Sequence, residues 1–329
     1  MSTFVRFART SQSLSLAALE EVSRLGLREA DIEHLFLALV INEQSAGRSL
    51  RSMGIDLDVA RRAVEEQHEA QLVALGIDTT FPEPGRIVLH ETHGYQLSKR
   101  ASDLIARSGG RGKQGDAAAV LRELVQEPSG LIASILHRLG TTPDALLKHL
   151  DLPDAPSEKS PPAGTKVKGR VSGSSDSFVP APVERVWEFL ADPTHVPEWE
   201  MSVGSIDHSG QDAAPGTVWQ GYARTRLPDG KPLKVKPNFH RRSIEAVAAD
   251  RPNRVAWRVA YPDSPRSTGL LTEFTLAATT SGTHVTITTS WLRRHGWRGV
   301  VGLPLFPIRK FLLWISAFQT GSALGRVFR

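Results

Sequence analysis

The 329-residue sequence has no cysteine. This excludes disulfides, thiol catalysis, iron–sulfur clusters and thiolate zinc sites. It also fits a reducing, cytoplasmic setting. Tyrosine and methionine are scarce, at three each, and neither sign of charge dominates, with 40 Lys+Arg against 35 Asp+Glu. The opening MSTFVRFARTSQ lacks an apolar core, so no secretory signal is expected. The most apolar C-terminal stretch is interrupted by Pro304, Pro307 and Arg309-Lys310, which argues against a membrane span. A phosphate loop of the form GxxxxGK[ST] is missing. The nearest string, Gly109-Gly110-Arg111-Gly112-Lys113-Gln114, has the wrong spacing and no hydroxyl, which excludes an ATPase motor of that type. His90-Glu91-Thr92-His93 resembles half a metal site but has no further ligand beside it, so neither a metal nor a cofactor is expected.

Hydrophobic residues make up 40% and charged residues 23%, an ordinary globular composition, and the length suggests two or three domains. The aromatics divide the chain. All seven Trp follow residue 180, while residues 1–150 are rich in the helix formers Leu, Ala, Glu and Arg. From about residue 171, Val, Thr and Trp alternate with polar residues, a strand pattern. Between them lies DLPDAPSEKSPPAGTKVKGR, with four Pro, which reads as a linker. The expected organisation is therefore a helical domain at 1–150, a Pro/Ser/Lys linker at 151–170 and a second domain at 171–329.

The first domain reads as an internal repeat of two four-helix units. LAALEEVSRLGL and DIEHLFLALVIN have helical periodicity, with Asp31 a suitable N-cap. GRSLRSMG and DLDVARRAVEEQ follow, with Gly54 between them. Roughly 85 residues later come SKRASDLIARSGG, GDAAAVLRELVQE and LIASILHRLGTTPDALLKHL, in the same order. The EHLFLAL helix and the MGIDLDVARRAV junction resemble a Clp amino-terminal domain. That resemblance implies a non-catalytic docking module for Clp chaperone–protease components, adaptors, clients or Clp-targeting compounds. Some members of that family bind phosphoarginine through a Glu and a hydroxyl in each repeat. Here Glu33 stands at the first Glu position and Ser98 at the second hydroxyl position, but Ala8 and Ala118 replace their counterparts. Alternatively, Glu33 and His34 simply stabilise the first turn of their helix.

The second domain reads as a strand, two short helices, an antiparallel meander and a long terminal helix. The strand ends at Pro180, Pro182 opens a helix, and Asp192-Pro193 ends it. GTVWQGYARTRL, PLKVKPNFHRRSIEAVAAD, RVAWRVAY, GLLTEFTLAATT and HVTITTSWL read as strands, several of them separated by turn signals. FPIRKFLLWISAFQTGSALGRVF lies in the terminal helix. This layout, and VPAPVERVWEFLADPTHVPEWE in particular, resembles the START-like or SRPBCC superfamily in its polyketide cyclase/dehydrase branch. The resemblance implies an α+β helix-grip fold in which the sheet wraps around the last helix over an apolar cavity.

Alternation places Val255, Trp257, Val259 and Tyr261 on one side of their strand; Leu270, Thr272, Phe274 and Leu276 on one side of the next; and Val285, Ile287, Thr289 and Trp291 on one side of the third. The cavity candidates are Trp187, Trp257, Tyr261, Phe274, Ile287, Trp291, Trp314 and Phe318. A packed aromatic core without a ligand is the competing reading. No catalytic residue can be assigned: His195, His208, His240, His284 and His295 fall in no catalytic spacing, and Glu273 reads as solvated on the opposite face. Residues 293–329 carry seven basic and no acidic residues, leaving the rest of the chain at net −2. The basic side of this segment reads as a solvated helix face, with contact to a lipid surface as the second reading. No nucleic-acid motif accompanies the charge.

The functional expectation is a non-enzymatic binding or regulatory protein: a docking module without a motor, joined to a domain for an apolar small molecule such as a lipid or polyketide. The alternative is a cyclase- or aromatase-type enzyme acting in the C-terminal cavity.

Overall fold

The computed structural model describes residues 3–77, 83–88, 94–110, 112–152, 170–207, 214–227, 230–292 and 306–329. The chain forms two compact units, Met1–Pro156 and Ser157–Arg329. The proposed linker lies almost wholly outside the described residues, as does His90-Glu91-Thr92-His93.

The first unit is helical: α1 (Thr3–Arg24), strand β1 (Glu29–Ala30), α2 (Ile32–Val40), α3 (Ser45–Ser52) and α4 (Leu57–Ala74), then β2 (Gln96–Leu97), α5 (Lys99–Ser108), α6 (Ala117–Val125), α7 (Leu131–Arg138) and α8 (Pro143–Leu150). Each half therefore has four helices and one two-residue strand, which follows the first helix in the first half and precedes it in the second. The strands pair in parallel, Glu29 with Gln96 and Ala30 with Leu97, which ties the two halves together. The caps follow from residue chemistry. Asp56 accepts from Val59 N at 2.9 Å and Asp116 from Ala119 N at 2.9 Å, each satisfying an orphan donor of the first turn. Gly54 and Gly140 take positive φ, +80° and +73°, at the ends of α3 and α7, where a side chain would be strained. One apolar cluster running from Leu14 to Leu150 fills this unit, and α2, entirely buried, lies within it. Arg51 is buried with it, donating to the carbonyls of Val40 (2.6 Å) and Asn42 (3.0 Å) at the end of α2.

The second unit is a seven-stranded antiparallel sheet with helices: β3 (Arg170–Val179), α9 (Val183–Ala191), α10 (Val196–Trp199), β4 (Val203–Ile206), β5 (Val218–Ala223), β6 (Arg241–Asp250), β7 (Arg254–Ala260), β8 (Leu270–Thr279), β9 (Gly282–Leu292) and α11 (Phe306–Val327). The strand order is β3-β9-β8-β7-β6-β5-β4. This is consistent with the helix-grip arrangement expected. Two details differ from the sequence reading. Only residues 241–250 of the segment beginning at Pro232 form β6; the preceding residues make a bridge, a loop and a short 3-10 turn, Pro237–Phe239. The edge strand β4 was not anticipated, because four residues are too few to display a period.

The sheet receives α11 through small residues. A Cβ on Gly173 of β3 would sit 2.6 Å from Trp314 N and 2.8 Å from Leu313 C, so only glycine allows this approach. Beside it, Thr289 Oγ1 donates to Leu313 O at 2.8 Å. Trp257 Nε1 donates to Leu190 O at 2.8 Å, which fixes the end of α9 on the sheet.

Candidate functional site

The register of β7, β8 and β9 lines up the alternating residues in rows. Val255 faces Phe274, and Phe274 faces Ile287; Trp257 faces Thr272, and Thr272 faces Thr289; Val259 faces Leu270, and Leu270 faces Trp291. On β6, Ile244 faces Val259 and Ala246 faces Trp257. A continuous, mainly apolar face results. Leu313, Ala317 and Leu324 of α11 are buried.

The sequence candidates take different positions on this face. Trp257, Phe274 and Ile287 are at most 1% exposed and belong to the packed core. Phe274 meets Trp199 edge-on at 5.0 Å, and Trp257 lies 5.7 Å from Trp219. Tyr261, Trp291 and Phe318 are only half-buried. Trp314 stacks on Phe318 and on Phe311, and Phe311 is exposed. Trp187 does not join them. It sits at the other end of β7, where its indole donates to Arg254 O at 3.3 Å and the Arg251 guanidinium lies over its ring. Helical phase, which put Trp187 with Val183, Val186 and Leu190, could not show that its indole reaches past the helix to the start of the central strand β7.

At the Tyr261 end the inner face turns polar. Arg242 pairs with Gly221 and precedes Ile244 by two residues, so strand parity carries its side chain inward. Its guanidinium lies over the Tyr261 ring at 4.7 Å, and Nη1 donates to Phe239 O. Phe239 packs edge-on to Tyr261 at 5.1 Å. Glu200, buried just past α10, accepts from Ser202 N at 3.0 Å and acts electrostatically on both Arg242 and Tyr261. Burial pulls the Arg242 pKa down, opposed by Tyr261 and Glu200. Burial also pushes the Tyr261 hydroxyl up, with Arg242 opposing and Glu200 adding. The indole N–H groups of Trp199 and Trp219 and the Nε of Arg242 are enclosed without an acceptor. The sequence reading missed Arg242 and Glu200. The parity of Arg242 with Ile244 and Ala246 was a usable signal, whereas Glu200 follows a four-residue helix and gives none.

The other titratable candidates have ordinary partners. Glu273 is bonded by Arg254 Nε at 2.7 Å, on the face opposite Phe274. His195 contacts Glu198 at 2.7 Å and stacks on Phe189. His240 is exposed, and His284 lies 3.8 Å from Asp176. His208 and His295 lie outside the described residues, as do Arg293, Arg294 and Arg298 of the basic segment. Among the described residues no group of three His or carboxylate side chains is placed to hold a metal, and no helix is long and apolar enough to cross a membrane.

In the helical unit, Glu33 and Ser98 share no hydrogen bond. Glu33 Oε1 lies 3.2 Å from His34 Nδ1 and 3.7 Å from His68 Nε2, while Oε2 is enclosed without a partner. Burial alone would push the Glu33 carboxyl up, but the two histidines outweigh it and hold it well below the usual carboxylate range. Ser98 caps α5, accepting from Ala101 N at 3.0 Å and donating to Asp31 Oδ1 at 2.5 Å. Asp31 in turn pairs with Arg100, which also lies 3.7 Å from Glu127. Lys99, Arg100, Asp103, Arg107, Glu127 and Pro128 line an open groove of about 430 Å³.

Residues 170–312 match the family model described as polyketide cyclase/dehydrase and lipid transport, so the C-terminal unit carries a domain of that kind. Solved structures similar to this chain include three of low identity. Protein CV1439 from Chromobacterium violaceum is 15% identical, covering 48% of this chain and 96% of that one, with a TM-score of 0.33. The Polyketide_cyc-like protein Cgl2372 from Corynebacterium glutamicum is 14% identical, covering 49% and 93%, with a TM-score of 0.33. The protein of unknown function SA2116 from Staphylococcus aureus is 13% identical, covering 48% and 94%, with a TM-score of 0.34. Comparison with curated proteins finds no match.

Proposed function

We propose that the C-terminal unit binds an apolar small molecule, lipid or polyketide-like, at the Tyr261 end of its inner sheet face. The observation that carries this reading is the change along the face. Its middle rows, through Trp257, Phe274 and Ile287, are closed by packing, while the Tyr261–Trp291 end keeps large aromatics half-open. Partly open aromatics beside a few inward polar groups are what a ligand pocket requires. The family match at residues 170–312 supports the same class. Native mass spectrometry of the full-length protein from its own host tests it: a retained apolar compound, released on denaturation and lost with Trp291→Ala, is the expected result. A bare protein that takes up no apolar compound would count against it.

The enzymatic reading rests on Glu200, Arg242 and Tyr261, which together offer a base, a cation for a developing oxyanion and a proton donor. Turnover of a polyketide-like chain that is lost with Glu200→Gln, while binding persists, would favour it.

For the helical unit we infer a docking role toward Clp components, adaptors or clients. Its support is the sequence resemblance together with the succession of four helices in each half. Pull-down with the full chain tests this; failure to recover any Clp subunit, adaptor or substrate would weigh against it. Contact of the basic C-terminal segment with lipid is a separate reading, tested by flotation on phosphatidylglycerol vesicles.

A further inference from the structure

Arg242 combines three properties that an ordinary structural arginine does not. It is 6% exposed, it stands on the inner face among apolar neighbours, and no carboxylate among the described residues lies within ion-pair distance of it. Arg241, one residue earlier and facing outward, makes the contrast: its guanidinium grips Asp263 in a two-pronged ion pair. Arg254 and Arg258, on the next strand, also have carboxylate partners, Glu273 and Glu245. A buried cation with only one carbonyl and one ring face is under-compensated, because desolvation removes more than a single neutral acceptor returns.

Its surroundings supply further donors rather than acceptors. Arg242 Nε and Trp219 Nε1 are enclosed with no acceptor. Trp219 pairs with Ile244 and Gly221 with Arg242, so Trp219 and Arg242 are diagonal neighbours on the same face of adjacent strands. The residue opposite Arg242 is Gly221, which brings no side chain of its own to the guanidinium. The Tyr261 hydroxyl lies on the same ring that Arg242 covers, and among the described residues it has no hydrogen-bond partner. Among the described residues, Glu200 is the carboxylate that acts on this group, and it is spent in part on Ser202 N.

We propose that Arg242, with the Tyr261 hydroxyl beside it, is the anchor for an oxyanion, a carboxylate or equivalent acid group, on the apolar ligand of this unit. This inference rests on the small-molecule reading above and specifies the ligand as an amphipathic organic acid. A planar guanidinium fork suits a carboxylate, and a charge-assisted pair is strongest where water is excluded. The apolar body would lie along Trp219, Tyr261 and Trp291, while the acid group pairs with the Arg242 guanidinium, which has no carboxylate in contact among the described residues.

The test is calorimetric titration of the full-length protein at pH 7 with matched probes: octanoate against octanol, and 2-naphthoate against 2-naphthalenemethanol. In at least one pair the carboxylate is expected to bind about tenfold or more tighter than the alcohol. Arg242→Met should reduce that preference to about twofold or less and leave the alcohol's affinity within about twofold of wild type. Arg242→Met should also melt no lower than wild type without ligand, since it removes a desolvated charge and keeps the volume. If it melts much lower, Tyr261→Phe carries the test: it must weaken the carboxylate and not the alcohol. Equal binding within both pairs by wild type would overturn the acid anchor and leave the small-molecule site standing. Binding of none of the four probes would sink the small-molecule reading for chains and fused rings alike, and the anchor with it.

Discussion

Two buried carboxylates in the helical unit show how a residue's partner decides its worth. Glu21, 1% exposed, holds Arg61 by two bonds, Nε to Oε2 at 2.9 Å and Nη2 to Oε1 at 3.0 Å, between α1 and α4. Glu21→Ala should lower the unfolding free energy by about 3 kcal/mol, because it leaves the buried Arg61 with only the exposed Asp58, at 3.5 Å, as a carboxylate partner; denaturant melts measure this. Replacing both partners with apolar residues of similar size should recover most of that loss. Glu33 is a question of protons. Its carboxyl is held below its unfolded value of about 4.3. In that window the unfolded chain binds the proton and the native chain does not, so stability rises with pH. Glu33 therefore contributes fully above about pH 4.3 and loses that contribution as pH falls toward its folded value. The stability gap between wild type and Glu33→Gln should shrink below about pH 4. A gap that does not change with acid would refute this assignment.

Between elements, the decisive contact is the seat of α11 on β3. Gly173 leaves no space for a side chain because backbone atoms of Leu313 and Trp314 occupy it. Backbone cannot rotate away as a side-chain tip can, so Gly173→Val should cost at least ~1–3 kcal/mol, read as a lower denaturation midpoint with reduced protection of the Thr289 to Leu313 contact. The elements were legible in the sequence to the extent that they carry a period. β7, β8 and β9 largely alternate, with the small buried Ala256 an exception, and the inward set Val255, Trp257, Val259 was read from that alternation. β4 was not legible, since four residues hold two periods at most, and the stretch before Arg241 lost its strand to a 3-10 turn at Pro237. Arg242 was legible in principle by parity with Ile244, but a charged residue at a strand's start normally turns to solvent.

For the whole molecule, the two apolar cores are made locally. Every member of the first cluster comes from residues 7–150 and every member of the second from 179–328. Expressed separately, residues 1–156 and 170–329 should each unfold cooperatively, as followed by circular dichroism, with helical and β-rich spectra respectively. A fragment that stays molten would show that its core needs the rest of the chain. The charge is distributed just as unevenly: net +5 overall, with seven basic and no acidic residues after position 292.

By itself the sequence determined the change of class along the chain, the lack of cysteine and of a GxxxxGK[ST] motif, and the inner face of the central strands, because composition and period are local properties. Tertiary structure alone decided which of those inward residues are sealed in the core and which stay half-open. It moved Trp187 to the far end of β7, and it laid Arg242 over Tyr261 within electrostatic reach of Glu200. Register and helix seating bring together residues distant in the chain, and no local pattern encodes that meeting.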